Sequence, residues 1–80
     1  MKVKAGDTVF FRDDLEIGYY YGSVRWSESK SKLSGKKAII KDSNKTGDLF
    51  RVKNDGYFDV FSTKMLKCKN PDKYFCIEYN

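Results

Sequence analysis

Histidine is missing altogether, proline occurs once and cysteine twice. Without histidine, a general acid or base working at neutral pH would have to be a carboxylate, a lysine or a cysteine with a strongly shifted pKa. Two cysteines, Cys68 and Cys76, fall short of the four Cys or His ligands of a structural zinc site. A phosphate-binding P-loop is also missing, because the glycine required five positions before Gly35 and Lys36 is a lysine, Lys30. No apolar run approaches the roughly 20 residues that span a bilayer, and Met1 to Lys4 opens without the apolar segment of a signal peptide. These absences lead to the expectation of a cytoplasmic protein with no membrane contact, no cofactor, no metal and no enzymatic activity.

What is present is aromatic and charged. Aromatic residues make up 16% and charged residues 34% of the 80 positions, enough for one small core under a wet surface. The net charge of +5 is concentrated in the middle of the chain: residues 25 to 53 hold nine cations against three anions. The segments before and after are close to neutral. A clustered positive field favours an acidic or polyanionic partner more than a scattered one does.

The stretch Asp13 to Trp26, DDLEIGYYYGSVRW, packs two acids, three consecutive tyrosines between glycines, an arginine and the only tryptophan into fourteen residues. Before it, Thr8 to Arg12 is a β-branched and aromatic run entered through Gly6 and Asp7, with Val9 and Phe11 on the core face. Gly18 and Gly22 break the alternation that follows, so the stretch reads as a long structured loop, with Leu15 and Ile17 tucked into the core. Ser27 to Gly35 has Leu33 as its only apolar residue and reads as a mobile, solvated tip. Lys37 to Lys41 is a strand with Ala38 and Ile40 on one face, and Asp42 to Gly47 has the composition of a turn.

Asp48 to Phe61 is a hairpin. A two-residue loop at Asp55 and Gly56 would set Val52 against Asp59, a carboxylate opposite an apolar partner. A loop of Asn54 to Gly56 instead pairs Phe50 with Val60 and Arg51 with Asp59, and is the preferred register. Ser62 to Leu66 suits a single helical turn with Met65 and Leu66 inward. Lys67 to Asn80 reads as a further hairpin around Asn70, Pro71 and Asp72. That register would let Cys68 and Cys76 approach, but in a reducing cytosol two buried thiols are expected.

Together these elements describe a mainly β protein: a small SH3-like barrel of about five strands, with one short helical turn before a C-terminal hairpin. The whole of 1–80 is one domain, with residues 1–66 as the core barrel and 67–80 as an extension. Exposed edges on the first and last strands would permit a weak homodimer beside the monomer.

GDTVFFRDDLEIGYYYG, GKKAII, DGYF and STKML, in this order, resemble a family of small SH3-like barrel proteins encoded by bacteriophages and prophages of Firmicutes. The resemblance covers about residues 6 to 67; Ser23 and Phe61 depart from it, standing where the family prefers glycine and tryptophan. It implies a phage origin and a bacterial host cytoplasm more than an activity, since members are mostly of unassigned function. The expected function is then a non-enzymatic binding module for a host or phage protein. Such a module would inhibit or modulate a host protein, in host takeover or in anti-defence of the anti-CRISPR kind. The alternative is a basic nucleic-acid-binding domain that stacks bases on tyrosines beside lysines. For either partner the candidate surface is Tyr19, Tyr20, Tyr21, Arg25, Trp26, Lys30, Lys32, Lys36 and Lys37. Tyrosine, tryptophan and arginine supply large contact area at low entropic cost, and the lysines supply charge.

Overall fold

A computed structural model describes residues 2–53 and 59–69. Strands β1 (Thr8–Phe11), β4 (Lys37–Ser43), β5 (Leu49–Val52), β6 (Phe61–Ser62) and β7 (Leu66–Lys69) form one five-stranded sheet in the order β6-β5-β4-β1-β7. A two-stranded ribbon, β2 (Tyr20–Tyr21) and β3 (Val24–Arg25), stands apart from it. Two 3₁₀ helices, η1 (Glu28–Leu33) and η2 (Thr63–Met65), complete the described elements. The protein is mainly β, and its strand order, a meander closed by a last strand returning to the first, is that of the expected small barrel. The first strand is not an edge: β1 lies between β4 and β7, and β6 and β7 end the sheet.

The alternation in β1 works as read, with Val9 and Phe11 buried and Thr8 and Phe10 half-buried. Phe11 is the hub of an aromatic cluster, its ring centroid 5.1 Å from Phe61, 6.0 Å from Trp26 and 6.2 Å from Phe50. Ala38 and Ile40 of β4, Val52, Met65 and Leu66 fill the space around it. In β4 the register shifts between Ile40 and Asp42, a bulge that bends the strand so that it pairs with β1 through its first half and β5 through its second. One strand thus serves both layers of the core.

Two local expectations fail for physical reasons. The β5–β6 ladder sets Phe50 opposite Phe61 and Leu49 opposite Ser62, which is the register that places Asp59 across from Val52. Asp59 does not confront apolar surface there, because Ser29 Oγ donates to its carboxylate at 3.0 Å. The shift buries Phe61 and leaves Val60 41% exposed. Arg51, expected to face Asp59, instead makes a two-pronged pair with Asp42 across the β4–β5 ladder. The loop at 54–56 and the C-terminal hairpin lie outside the described residues, as does Cys76. Cys68, in β7 opposite Phe10, is buried and disulfide-bonded. That corrects the expectation of a thiol at this position.

The Arg51 guanidinium, mainly through its hydrogen bonds, holds the Asp42 carboxyl below its ordinary value of 3.8, and Arg12 does the same to Asp14. A carboxyl depressed in the folded state adds stability above its ordinary pKa and loses it as pH falls through the folded value. The melting temperature is therefore expected to fall as the pH drops below the ordinary carboxylate value of 3.8, and the fall should shrink in Asp42→Asn. Both pairs are solvent-facing, so salt should shrink it too. An identical acid response in Asp42→Asn and the parent would remove the pair from the account.

Candidate partner-binding surface

Between β1 and β4 the chain makes an excursion from Arg12 to Lys36, and its two ends are tied down first. Phe11 N–H donates to the Lys36 carbonyl at 3.0 Å, and Gly35 N–H to the Arg12 carbonyl at 3.1 Å. Arg12 then braces the outgoing limb. Its Nε and Nη2 donate to Asp14 at 2.8 and 2.9 Å, its Nη1 reaches the Lys64 carbonyl at 3.0 Å, and its guanidinium lies 5.4 Å from the centroid of the Tyr21 ring. Asp14 is thus scaffold, in keeping with its place in a surface turn.

The far part of the excursion is a tight ribbon. Gly18 N–H donates to the Trp26 carbonyl at 2.7 Å and Trp26 N–H to the Tyr19 carbonyl at 2.8 Å. Tyr20 then pairs with Arg25, and Tyr21 with Val24. The turn passes close to η2: Gly22 has φ +68°, and a Cβ there would lie 3.2 Å from Ser62 Oγ. That hydroxyl donates to the Tyr21 carbonyl and fastens the ribbon to the barrel. Tyr21 is half-buried against the core, and its hydroxyl accepts from Glu16 N–H at 2.9 Å.

Trp26 leaves the ribbon directly into the core and has no exposed surface. It is therefore structural, and its place in the candidate surface is withdrawn. Lys30 is withdrawn as well. The segment expected to be a mobile tip forms η1, which turns Lys30 and Leu33 inward. The Lys30 stem is covered, while its Nζ donates to the Arg25 carbonyl at 2.8 Å and sits 5.5 Å from the centroid of Phe61. An ammonium so placed keeps its hydrogen bond while its methylenes pack, the usual way a lysine is accommodated near a core.

What the ribbon presents outward is Tyr19 at 62% exposure, Tyr20 at 69% and, contrary to expectation, Ile17 at 52%. Arg25 is also exposed, with its guanidinium beside Gly18. An isoleucine near a leucine suggests core, but only Leu15 packs there. The sequence signal for its exposure is its flanks, Glu16 and Gly18, a charged residue and a turn former. Lys32, Lys36 and Lys37 are exposed too, but Lys36 immediately precedes β4 and Lys37 opens it, pairing with Phe10 rather than with the tyrosines.

Among the described residues no helix is long and apolar enough to cross a membrane. Set against known proteins, the chain matches no family model, and no curated protein and no solved structure proves similar to it. The likeness to phage-encoded barrels therefore rests on the order of its motifs alone.

Proposed function

We propose that the protein is a non-enzymatic binding module that recognises a protein partner through Ile17, Tyr19, Tyr20 and Arg25. One observation carries this reading: among the described residues, three of the five exposed large apolar side chains fall within four consecutive residues, on a ribbon pinned by Trp26 and Ser62. Aromatics exposed in this way lose their contact with water when a partner arrives, and rigid display lowers the entropy lost on binding. Tyrosine and arginine are the residues enriched at the energetic centres of protein interfaces, and lysine is depleted there. The phage resemblance makes a host protein the partner of this reading, in takeover or anti-defence.

The test compares proteins captured from bacterial lysate by the parent and by the double variant Tyr19→Ser/Tyr20→Ser. Both side chains are more than half exposed, so the variant should melt within a few degrees of the parent, a surface change being within about 0.5 kcal/mol. A specific species retained by the parent and lost by the folded variant is the expected result. Equal capture by both would move the site elsewhere.

A further inference from the structure

The ribbon carries a charge among its exposed apolar side chains. Arg25 pairs with Tyr20 across the ribbon, and directly opposed residues of an antiparallel pair share one face. Gly18 has no side chain, and Arg25 Nη2 lies 3.8 Å from where its Cβ would stand, so the guanidinium reaches across to the residue between Ile17 and Tyr19. Its backbone is held in place, because Lys30 Nζ donates to the Arg25 carbonyl at 2.8 Å. Among the described residues the guanidinium forms no ion pair and donates no hydrogen bond. Asp14, on the outgoing limb, is already held by Arg12. Five donors in a fixed fork therefore stand open beside apolar surface.

We infer that Arg25 receives a carboxylate, and that the partner docks a segment in which an Asp or Glu side chain stands among apolar residues. The inference rests on the ribbon being the partner-binding surface and names what that surface selects. A guanidinium matches the two oxygens of a carboxylate with two parallel hydrogen bonds. On an open surface such a pair contributes little, but a partner covering Tyr19, Tyr20 and Ile17 excludes the water that would weaken it. A phosphodiester chain fits less well. It is held by several cations at once, whereas the ribbon from Ile17 to Arg25 has one, and Glu16 adds a negative charge at its edge. The apolar side chains would contact the residues on either side of the acid.

The experiment selects peptides from a random display library on the immobilised parent, on Arg25→Gln, on Arg25→Glu and on Tyr19→Ser/Tyr20→Ser, each checked for fold by circular dichroism. The parent should enrich peptides with an Asp or Glu flanked by apolar residues. Arg25→Gln should lose the acidic preference and keep the apolar one, and Arg25→Glu should select Lys or Arg at that place. In a peptide enriched on the parent, exchanging the acid for its amide should weaken binding at least about tenfold, the worth of a hydrogen-bonded charge. Mixed-sequence single-stranded DNA should not displace it. Peptides that need the two tyrosines but show no acidic preference, or the same preference on Arg25→Gln, overturn the carboxylate and leave the ribbon as the binding surface. Displacement by DNA overturns it in favour of phosphate. Peptides retained equally by the parent and by Tyr19→Ser/Tyr20→Ser, or none retained by either, overturn the ribbon itself and this inference with it.

Discussion

Trp26→Ala is expected to remove about 3–5 kcal/mol of folding stability. A chain of this size has roughly 4–12 kcal/mol in total, at about 0.05–0.15 kcal/mol per residue, so the variant should be largely unfolded or close to it near 37 °C. The reason is geometric. The indole is fully buried, its ring centroid 6.0 Å from Phe11 and 6.4 Å from Phe61, and its backbone closes the ribbon on both sides. Deleting it opens a cavity in the aromatic cluster and loosens the base of the excursion together. Trp26→Phe, which keeps most of the volume, should cost far less. Urea unfolding followed by far-ultraviolet circular dichroism measures both, since the variants lack the natural fluorophore. A loss below about 1 kcal/mol for Trp26→Ala would return this residue to the surface.

The second large effect concerns a glycine. Gly47 has φ +75° in the turn between β4 and β5, and a Cβ there would lie 3.0 Å from Lys2 Cβ and 3.1 Å from both the backbone nitrogen and the carbonyl oxygen of Val3. The left-handed conformation alone costs a non-glycine residue about 1–2 kcal/mol. The steric conflict adds to it, because backbone atoms cannot swing aside and the Val3 N–H bond to the Gly47 carbonyl, 3.0 Å long, is in the way. Gly47→Ala should therefore cost about 2–4 kcal/mol in total. Gly6 is the internal control: its φ is +93°, but a Cβ there would meet nothing within 4 Å. Gly6→Ala should pay only the conformational part. If the two variants melt together, the approach of residues 2 and 3 to this turn is wrong.

The parts of the fold that could be read from sequence are those governed by neighbours along the chain. Alternation in Thr8 to Phe11 and in Lys37 to Ile40 identified the buried faces, because side-chain direction in a strand is set by the pleat. The one-turn helix at Thr63 to Met65 followed from Ser62 and two inward apolar residues in the same way. What was illegible depends on partners far away in sequence. The hairpin register turned on whether Asp59 could be satisfied, and its donor, Ser29, is thirty residues upstream. Ser27 to Gly35 looked solvated because lysine and serine dominate it, yet Phe61 and the Arg25 carbonyl together accommodate Lys30. Within the candidate surface, Tyr19, Tyr20 and Arg25 were read from residue type and do lie exposed. Ile17 and Trp26 exchanged roles, since hydrophobicity alone does not say which of two apolar residues the barrel has room for.

The way the ribbon is fastened has an evolutionary consequence. Its attachment to the barrel uses Gly18 and Tyr19 through their backbones, the Tyr21 carbonyl, and the side chains of Trp26 and Ser62, whereas the side chains of Ile17, Tyr19, Tyr20 and Arg25 supply none of those ties. Substitutions at these four positions can alter what the molecule touches while the framework beneath them is left alone. Selection can thus retarget such a ribbon in single steps, each tested for recognition without being tested again for folding.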